Sequence, residues 1–302
     1  MHVFVTGASG FIGSAVLQDL ISAGHQVLGL ARSDAAAQAL LTAGAQVHRG
    51  TLDDEESLRS GAGLADGVIH LAYKHDFADM EAAEQADLGA VNALGAALQG
   101  SSRPLVVTSG TLVMAADRVA TEQDAPDPGS AGVHRIAPEQ AALRLASSGV
   151  RSSVVRLAPT IHGEGDAGFL AALIAIARDK GVSGYIDDGS HRWPAVHRQD
   201  AARLFRLALE TAPAGTALHG AAEEGVPIRT IAEIIARHLD LPLVSVPRVD
   251  AADHFGWLAS FLGSNVPVSS QITRRLTGWQ PTHPGLVEDL DEGHYFTPAT
   301  GR

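Results

Sequence analysis

The 302-residue chain contains no cysteine, which excludes a disulfide framework, a thiolate nucleophile and any cysteine-based metal site. Positive charge is scarce. Against 34 acidic residues stand 22 lysines and arginines, a formal net charge of −12, whereas a general nucleic-acid or anionic-membrane binder needs a basic face. Long apolar runs are missing too: AGFLAALIAIARDKG (167–181) meets charge short of the ~20 residues a membrane-spanning helix requires. The fourteen histidines include no H-x-x-x-H or H-E-x-x-H spacing, so no metal site is expected. Tyrosine occurs three times, and none falls between Tyr73 and Tyr185. The first strand begins almost at Met1, so no signal peptide is expected and the protein reads as cytoplasmic.

What is present is a regular alternation. HVFVTG, HQVLGLAR, AQVHRG, DGVIHLAY, RPLVVTSG and RSSVVRL are near-continuous apolar strands. Amphipathic segments separate them, among them FIGSAVLQDLISAG, DAAAQALLTAG and DDEESLRSGA. Strands buried on both faces and alternating with helices predict a parallel sheet covered on both sides. The fold class is therefore α/β, a Rossmann-type doubly wound sheet over residues 1–157. Residues 158–302 read mainly as a smaller substrate-binding lobe. They carry helices near 198–211, 228–239 and 250–262, and TALHG and PLVSV are strands that return to the main sheet or form a small accessory one.

TGASGFIG places Gly7, Gly10 and Gly13 between the first strand and the first helix. In that context the first glycine makes the turn, the second admits a pyrophosphate to the backbone, and the third lets helix pack on strand. Ser9, Phe11 and Ile12 share this loop, whose helix N-terminus offers free amides and a favourable dipole. HLAY (70–73), VVTSG (106–110), RLAPTIHGEG (156–165) and WPAVHRQDAARL (193–204) follow in order. Together with the G-x-x-G-x-x-G loop they resemble the extended and atypical short-chain dehydrogenase/reductases, of the NAD(P)-dependent epimerase/dehydratase type, over essentially the whole chain.

The resemblance implies a nicotinamide cofactor. Enzymes preferring NAD usually end their second strand with Asp or Glu; here Arg32 and Ser33 follow VLGLA, and both suit a 2′-phosphate, so NADP (NADPH) is expected. Asp34 is read as the cap of the next helix, which would begin at Ala35. By position in the family, Thr51 and Leu52 would line the adenine, with Asp53 either beside them or capping DDEESL. Leu71, Ala72, Thr108 and Pro159 would approach the nicotinamide half.

The family's Tyr-x-x-x-Lys pair, with a Glu four residues beyond, aligns with Ala131, Arg135 and Glu139. Arg135 could hold ribose hydroxyls or simply face solvent, but with a pKa above ~12 it is a poor proton shuttle. The family's serine place is doubtful as well, with Gly110 there and Thr108, Ser109 and Thr111 around it, and Asp87 replaces an asparagine. This is a degenerate tetrad. Alternative proton donors are Tyr73, His75 and Asp76 after the fourth strand, His134 beside Arg135, and His162 in PTIHGEG. Asp87, Thr111, Tyr185, Arg192 and Trp193 are candidates for substrate contact, although Trp193-Pro194 could instead pack the loop while Asp200 caps the following helix. HFGWLASFLG (254–263) is either a buried helix or part of a lid. Ser109 lacks a G-x-S-x-G elbow, which argues against a hydrolase.

The expected function is NADP-dependent hydride transfer to or from a small-molecule carbonyl, alcohol or imine, by a monomer or homodimer. Two alternatives stay open: a catalytically silent NADP-binding regulator, and a sugar-nucleotide epimerase or dehydratase.

Overall fold

The structure, a computed structural model, describes residues 1–75 and 79–297; Asp76 lies outside them. Strands β1 (His2–Thr6), β2 (Gln26–Ala31), β3 (Gln46–Arg49), β4 (Gly67–His70), β5 (Pro104–Gly110) and β6 (Arg151–Leu157) are joined through α1 (Phe11–Ser22), α2 (Asp34–Thr42), α3 (Glu55–Gly63), α4 (Met80–Leu98) and α5 (Ile136–Arg144). Beyond them come β7 (Thr160–His162), α6 (Phe169–Lys180), β8 (Ser183–Ile186), β9 (Arg192–His197), α7 (Arg198–Thr211), β10 (Thr216–Gly220), β11 (Glu223–Pro227), α8 (Ile228–Leu239) and β12 (Leu243–Val246). The short helices α9 (Ala251–Phe255), α10 (Ala259–Leu262), α11 (Gln271–Thr277) and α12 (Leu286–Asp291) complete the chain.

The main sheet is seven-stranded and parallel, in the order β10-β6-β5-β4-β1-β2-β3. Successive side chains of a strand point to opposite faces. Val3 and Val5 accordingly enter a core with Leu17, Leu20, Phe205 and Trp279 under α1 and α7. Phe4 enters the opposite one with Leu58, Leu94 and Leu98 under α3 and α4. TALHG, now β10, joins this sheet as its outermost strand beside β6, whereas PLVSV supplies β12, which pairs with β8 alone. A third core, with Leu173, Ile174, Ile231, Ile235 and Trp193, lies under the strands β11-β9-β7 and the helices α6 and α8. The strand order reverses between β4 and β1, which opens a crevice at their carboxyl ends. No helix of the described residues is long and apolar enough to cross a membrane.

Several local expectations need correction. The helix expected over 250–262 is broken at Gly256, whose φ of +57° is not helical. Asp34 opens α2 rather than capping it; the cap is Ser33, whose hydroxyl accepts from the Ala36 amide at 3.2 Å. Asp54, not Asp53, caps α3 by accepting from the Ser57 amide at 3.0 Å, and Asp53 pairs with Lys74 instead. The cap of α7 is His197, while the buried Asp200 accepts from the amides of Thr282 and His283.

Candidate functional site

The loop between β1 and α1 is held by contacts that a larger residue would destroy. Gly7 has φ +70°, and a Cβ there would lie 2.7 Å from the Ala72 amide nitrogen, because the chain leaving β4 crosses directly over the turn. A Cβ on Gly13 would lie 2.0 Å from the Gly7 carbonyl oxygen. Gly10 differs: its φ is −78°, and the nearest atom to an added Cβ is the Gly7 oxygen at 3.3 Å. The protein's own packing therefore demands glycine at 7 and 13 much more than at 10. Gly10 is exposed, and as the N-cap of α1 it gives that helix no side-chain cap. The first-turn amides of α1 are thus left for an anion to approach across a bare backbone. Those are the features a dinucleotide's diphosphate needs.

At the far end of β2, Arg32 and Ser33 are exposed. Arg49 ends β3 in register with Ala31, and its Nη2 pairs with the Asp34 carboxylate at 2.6 Å. The acidic side chain nearest this strand end is thereby engaged by a cation. Thr51 is exposed and Leu52 half-buried on the same edge.

A buried polar chain runs under the crevice. Thr6 Oγ1 accepts from the amides of Leu71 and Ala72, both at 3.2 Å, so its own proton goes to His70 Nδ1 at 2.7 Å. That choice leaves the His70 Nε2 proton to be donated to Asp87 Oδ1, 3.1 Å away on α4. The other Asp87 oxygen is 3.2 Å from Arg135 Nη1, an ion pair with a fully buried carboxylate. Arg135 Nη2 donates to the Thr108 carbonyl, and Thr108 Oγ1 donates to the His70 carbonyl at 2.8 Å. Arg135 belongs to a short 3-10 turn ahead of α5 rather than to the helix. Its side chain is only 16% exposed, which rules out the solvent-facing role.

The Arg135 guanidinium carbon lies 4.1 Å from the centroid of the Tyr73 ring. His75 meets the same ring edge-on at 5.2 Å. Burial raises the Tyr73 phenol above its ordinary value, Arg135 opposes that, and Asp87 and Glu84 add to the rise. Tyr73 is consequently a neutral acid at physiological pH. Desolvation, with the Arg135 charge second, lowers His75, which is held as neutral imidazole. His134 pairs with Glu84 at 3.0 Å on the flank of this group.

The expected site residues thus divide. Tyr73, His75, Asp87, Thr108, Arg135 and His134 come together at the edge of β4 and β5. Ser109 and Thr111 sit beside them on β5 and just after it, buried, with hydroxyls that have no partner among the described residues. Ala131, at the position of the family's tyrosine, packs with Leu112 against the core under α6 and α8. Glu139 serves no tetrad role: it is buried in a pair with Arg156 at 2.7 Å.

His162 belongs to a separate network. Fully buried, it pairs through Nδ1 with Asp289 at 2.9 Å, while the other Asp289 oxygen meets His294 at 3.1 Å. Asp289, Glu292 and His294 bring donor atoms within 4.8 Å of one another, although both Asp289 oxygens are already engaged by histidines. Trp193 is fully buried, with its indole nitrogen donating to the Phe261 carbonyl, and Tyr185 is buried under Arg229. Both are core residues of that lobe, which answers the expectation of a substrate wall with packing. Arg192 is half-buried at the start of β9.

Sequence reasoning missed His70, Glu84 and Arg198. His70 had a signal: a lone polar residue in the otherwise apolar strand GVIH is buried and must be paired. Glu84 and Arg198 had none, since their partners lie 50 and 184 residues away.

Comparison with known proteins gives the family and the fold. The model of the NAD dependent epimerase/dehydratase family matches residues 3–219. An uncharacterised protein of Schizosaccharomyces pombe is 46% identical over 298 residues, 98% of this chain and 100% of its own length. The 2-alkyl-3-oxoalkanoate reductase of Stenotrophomonas maltophilia is 29% identical, covering 100% of this chain and 93% of that protein. Among solved structures, a double mutant of the dTDP-glucose 4,6-dehydratase DesIV of Streptomyces venezuelae, with NAD bound, superposes with a TM-score of 0.79 over 96% of both chains, at 17% identity.

Proposed function

Because the chain belongs to the NAD-dependent epimerase/dehydratase family, we propose that it is an NADPH-dependent reductase of a small-molecule carbonyl, with Tyr73 as the proton donor. The observation that carries this reading is the stacking of Tyr73 against Arg135 in the crevice. The family's tyrosine and lysine work as an acid with an adjacent cation. Here the acid would come from the end of β4 instead of the α5 region, and the cation would keep its usual place.

The bound cofactor would supply hydride from its nicotinamide, held by the glycine loop. The chain's own residues would handle the proton. Tyr73, a neutral phenol that burial keeps further from ionising, donates its phenolic hydrogen to the developing alkoxide. Arg135 lies against the ring face and stabilises the phenolate that results. Asp87, itself oriented by His70, keeps the guanidinium in place. His75, in edge contact with the ring, packs beside the phenol.

Support for NADP over NAD comes from the exposed Arg32 and from the Arg49–Asp34 pair, which offsets the negative charge that would repel a 2′-phosphate. Support for a reductase comes from a relative named for reducing a 3-oxoalkanoate. The test is NADPH oxidation against a panel of ketones, aldehydes and imines, under single-turnover conditions with saturating NADPH. Tyr73→Phe should slow the reaction by about 10²–10⁴ while leaving NADPH affinity intact. A parent protein that binds NADPH tightly but turns over nothing would favour the regulator reading instead.

A further inference from the structure

Arg198 opens α7, in the half of the chain beyond the first six strands, yet its side chain reaches back to the glycine-loop helix. Its guanidinium carbon lies 4.7 Å from the centroid of the Phe11 ring, and its Nη2 donates to Ser14 Oγ at 3.0 Å. Nη1 donates to the Glu164 carbonyl at 2.8 Å in the loop after β7. Nε is shielded from solvent and has no partner among the described residues. The same side chain lines a cavity of about 170 Å³ that reaches Ala8 and Ser9 in the glycine loop.

This placement is electrostatically odd for a cation. A helix N-terminus carries the positive end of the dipole, so the first turn favours anions and disfavours arginine. Helix α1 has no acidic residue in its first turn to offset the charge. The exposed Glu164 carboxylate offsets it in part. Free amides, the dipole and a guanidinium with one hidden, unpaired donor thus converge on the first turn of α1. An unpaired buried donor in a folded protein calls for a partner, and these features together call for a strongly anionic one.

We propose that Arg198 clasps the diphosphate of the bound dinucleotide, reaching the first turn of α1 from the neighbouring helix α7. The proposal rests on the dinucleotide reading of the glycine loop and adds to it a residue contributed from outside the first six strands. It also gives β7 and its loop a direct link to the cofactor, because the same guanidinium holds the Glu164 carbonyl.

The test compares three probes by calorimetry: NADPH, NADH, and adenosine 2′-monophosphate, which has the 2′-phosphate and no diphosphate. Arg198→Met keeps an apolar stem over Phe11 and removes the charge. It should weaken NADPH and NADH alike by about ten- to a hundredfold, as expected for one charge-assisted contact, and leave adenosine 2′-monophosphate at parent affinity. Arg198→Lys, which keeps the charge but not the fork, should fall between the two. Equal loss of all three probes would mean a general disturbance of the nucleotide site and overturns the proposal. Parent-like binding of both dinucleotides by Arg198→Met overturns it while leaving the cofactor reading intact. Should the parent itself bind neither dinucleotide, the cofactor reading falls and this inference with it.

Discussion

Replacing Gly10 and Gly13 separately by alanine should split fold from ligand. At Gly10 the backbone is extended with φ −78°, and the new methyl meets only the Gly7 carbonyl at 3.3 Å. Glycine to alanine at an N-cap costs a few tenths to about 1 kcal/mol, which is a shift of only about 0.5–1.5 °C in Tm for a protein of 302 residues. At Gly13 the methyl would sit 2.0 Å from the Gly7 oxygen and 2.8 Å from the Ala8 Cα, both backbone atoms that cannot swing aside. Helix propensity favours alanine there by about 1 kcal/mol, but overpacking of about 1–3 kcal/mol or more opposes it and should win. Binding should run the other way. The Gly10 methyl occupies the approach of the diphosphate to the amides of α1, so two charge-assisted contacts of about 1.5–3 kcal/mol each are lost. NADPH affinity should therefore fall by roughly 10²–10⁴ in Gly10→Ala, with the melting curve nearly unchanged. Thermal melting and calorimetric titration on the same samples decide it. If Gly10→Ala binds NADPH as the parent does, the ligand does not touch this loop. If Gly13→Ala melts with the parent, the packing argument is wrong.

Arg32→Ala should weaken NADPH by about ten- to a hundredfold and NADH little; equal losses for both would refute the 2′-phosphate assignment. Arg135→Met strands the fully buried Asp87 carboxylate and should cost about 3–5 kcal/mol in denaturant unfolding, with Asp87→Asn in the same background restoring part of it. Stability should also fall on acidification through His219, which full burial and the neighbouring Arg156 hold down to about 4. The unfolded imidazole titrates near 6.5 and so takes up a proton before the folded one. The His219 contribution is present above about pH 6.5 and is lost as pH falls toward 4, with a slope of up to about 1.4 kcal/mol per pH unit. His219→Gln should flatten that stretch of the Tm–pH curve, and an unchanged curve would rule out His219 as its source.

The sequence alone determined what depends on short-range pattern. Apolar strands alternating with helices specified the parallel sheet, because a strand buried on both faces can only be covered by crossover helices. The spacing of Gly7, Gly10 and Gly13 marked the loop, because that turn and its contact with Ala72 tolerate nothing larger at Gly7. The loss of the family's tyrosine at Ala131 was equally visible. Tertiary structure alone decided which phenol and which cation meet in the crevice. Tyr73 and Arg135 are 62 residues apart, and they meet only because β4 and the turn before α5 end at the same edge of the sheet. Burial made the same kind of choice among histidines and aromatics that composition could not rank. His162 went to Asp289 and Trp193 to the core under α6 and α8, while His70, the lone polar residue of an otherwise apolar strand, became the support of Asp87. Polar groups in the interior must find partners wherever the fold brings them, and those partners are set by packing across long stretches of chain, which no local window contains.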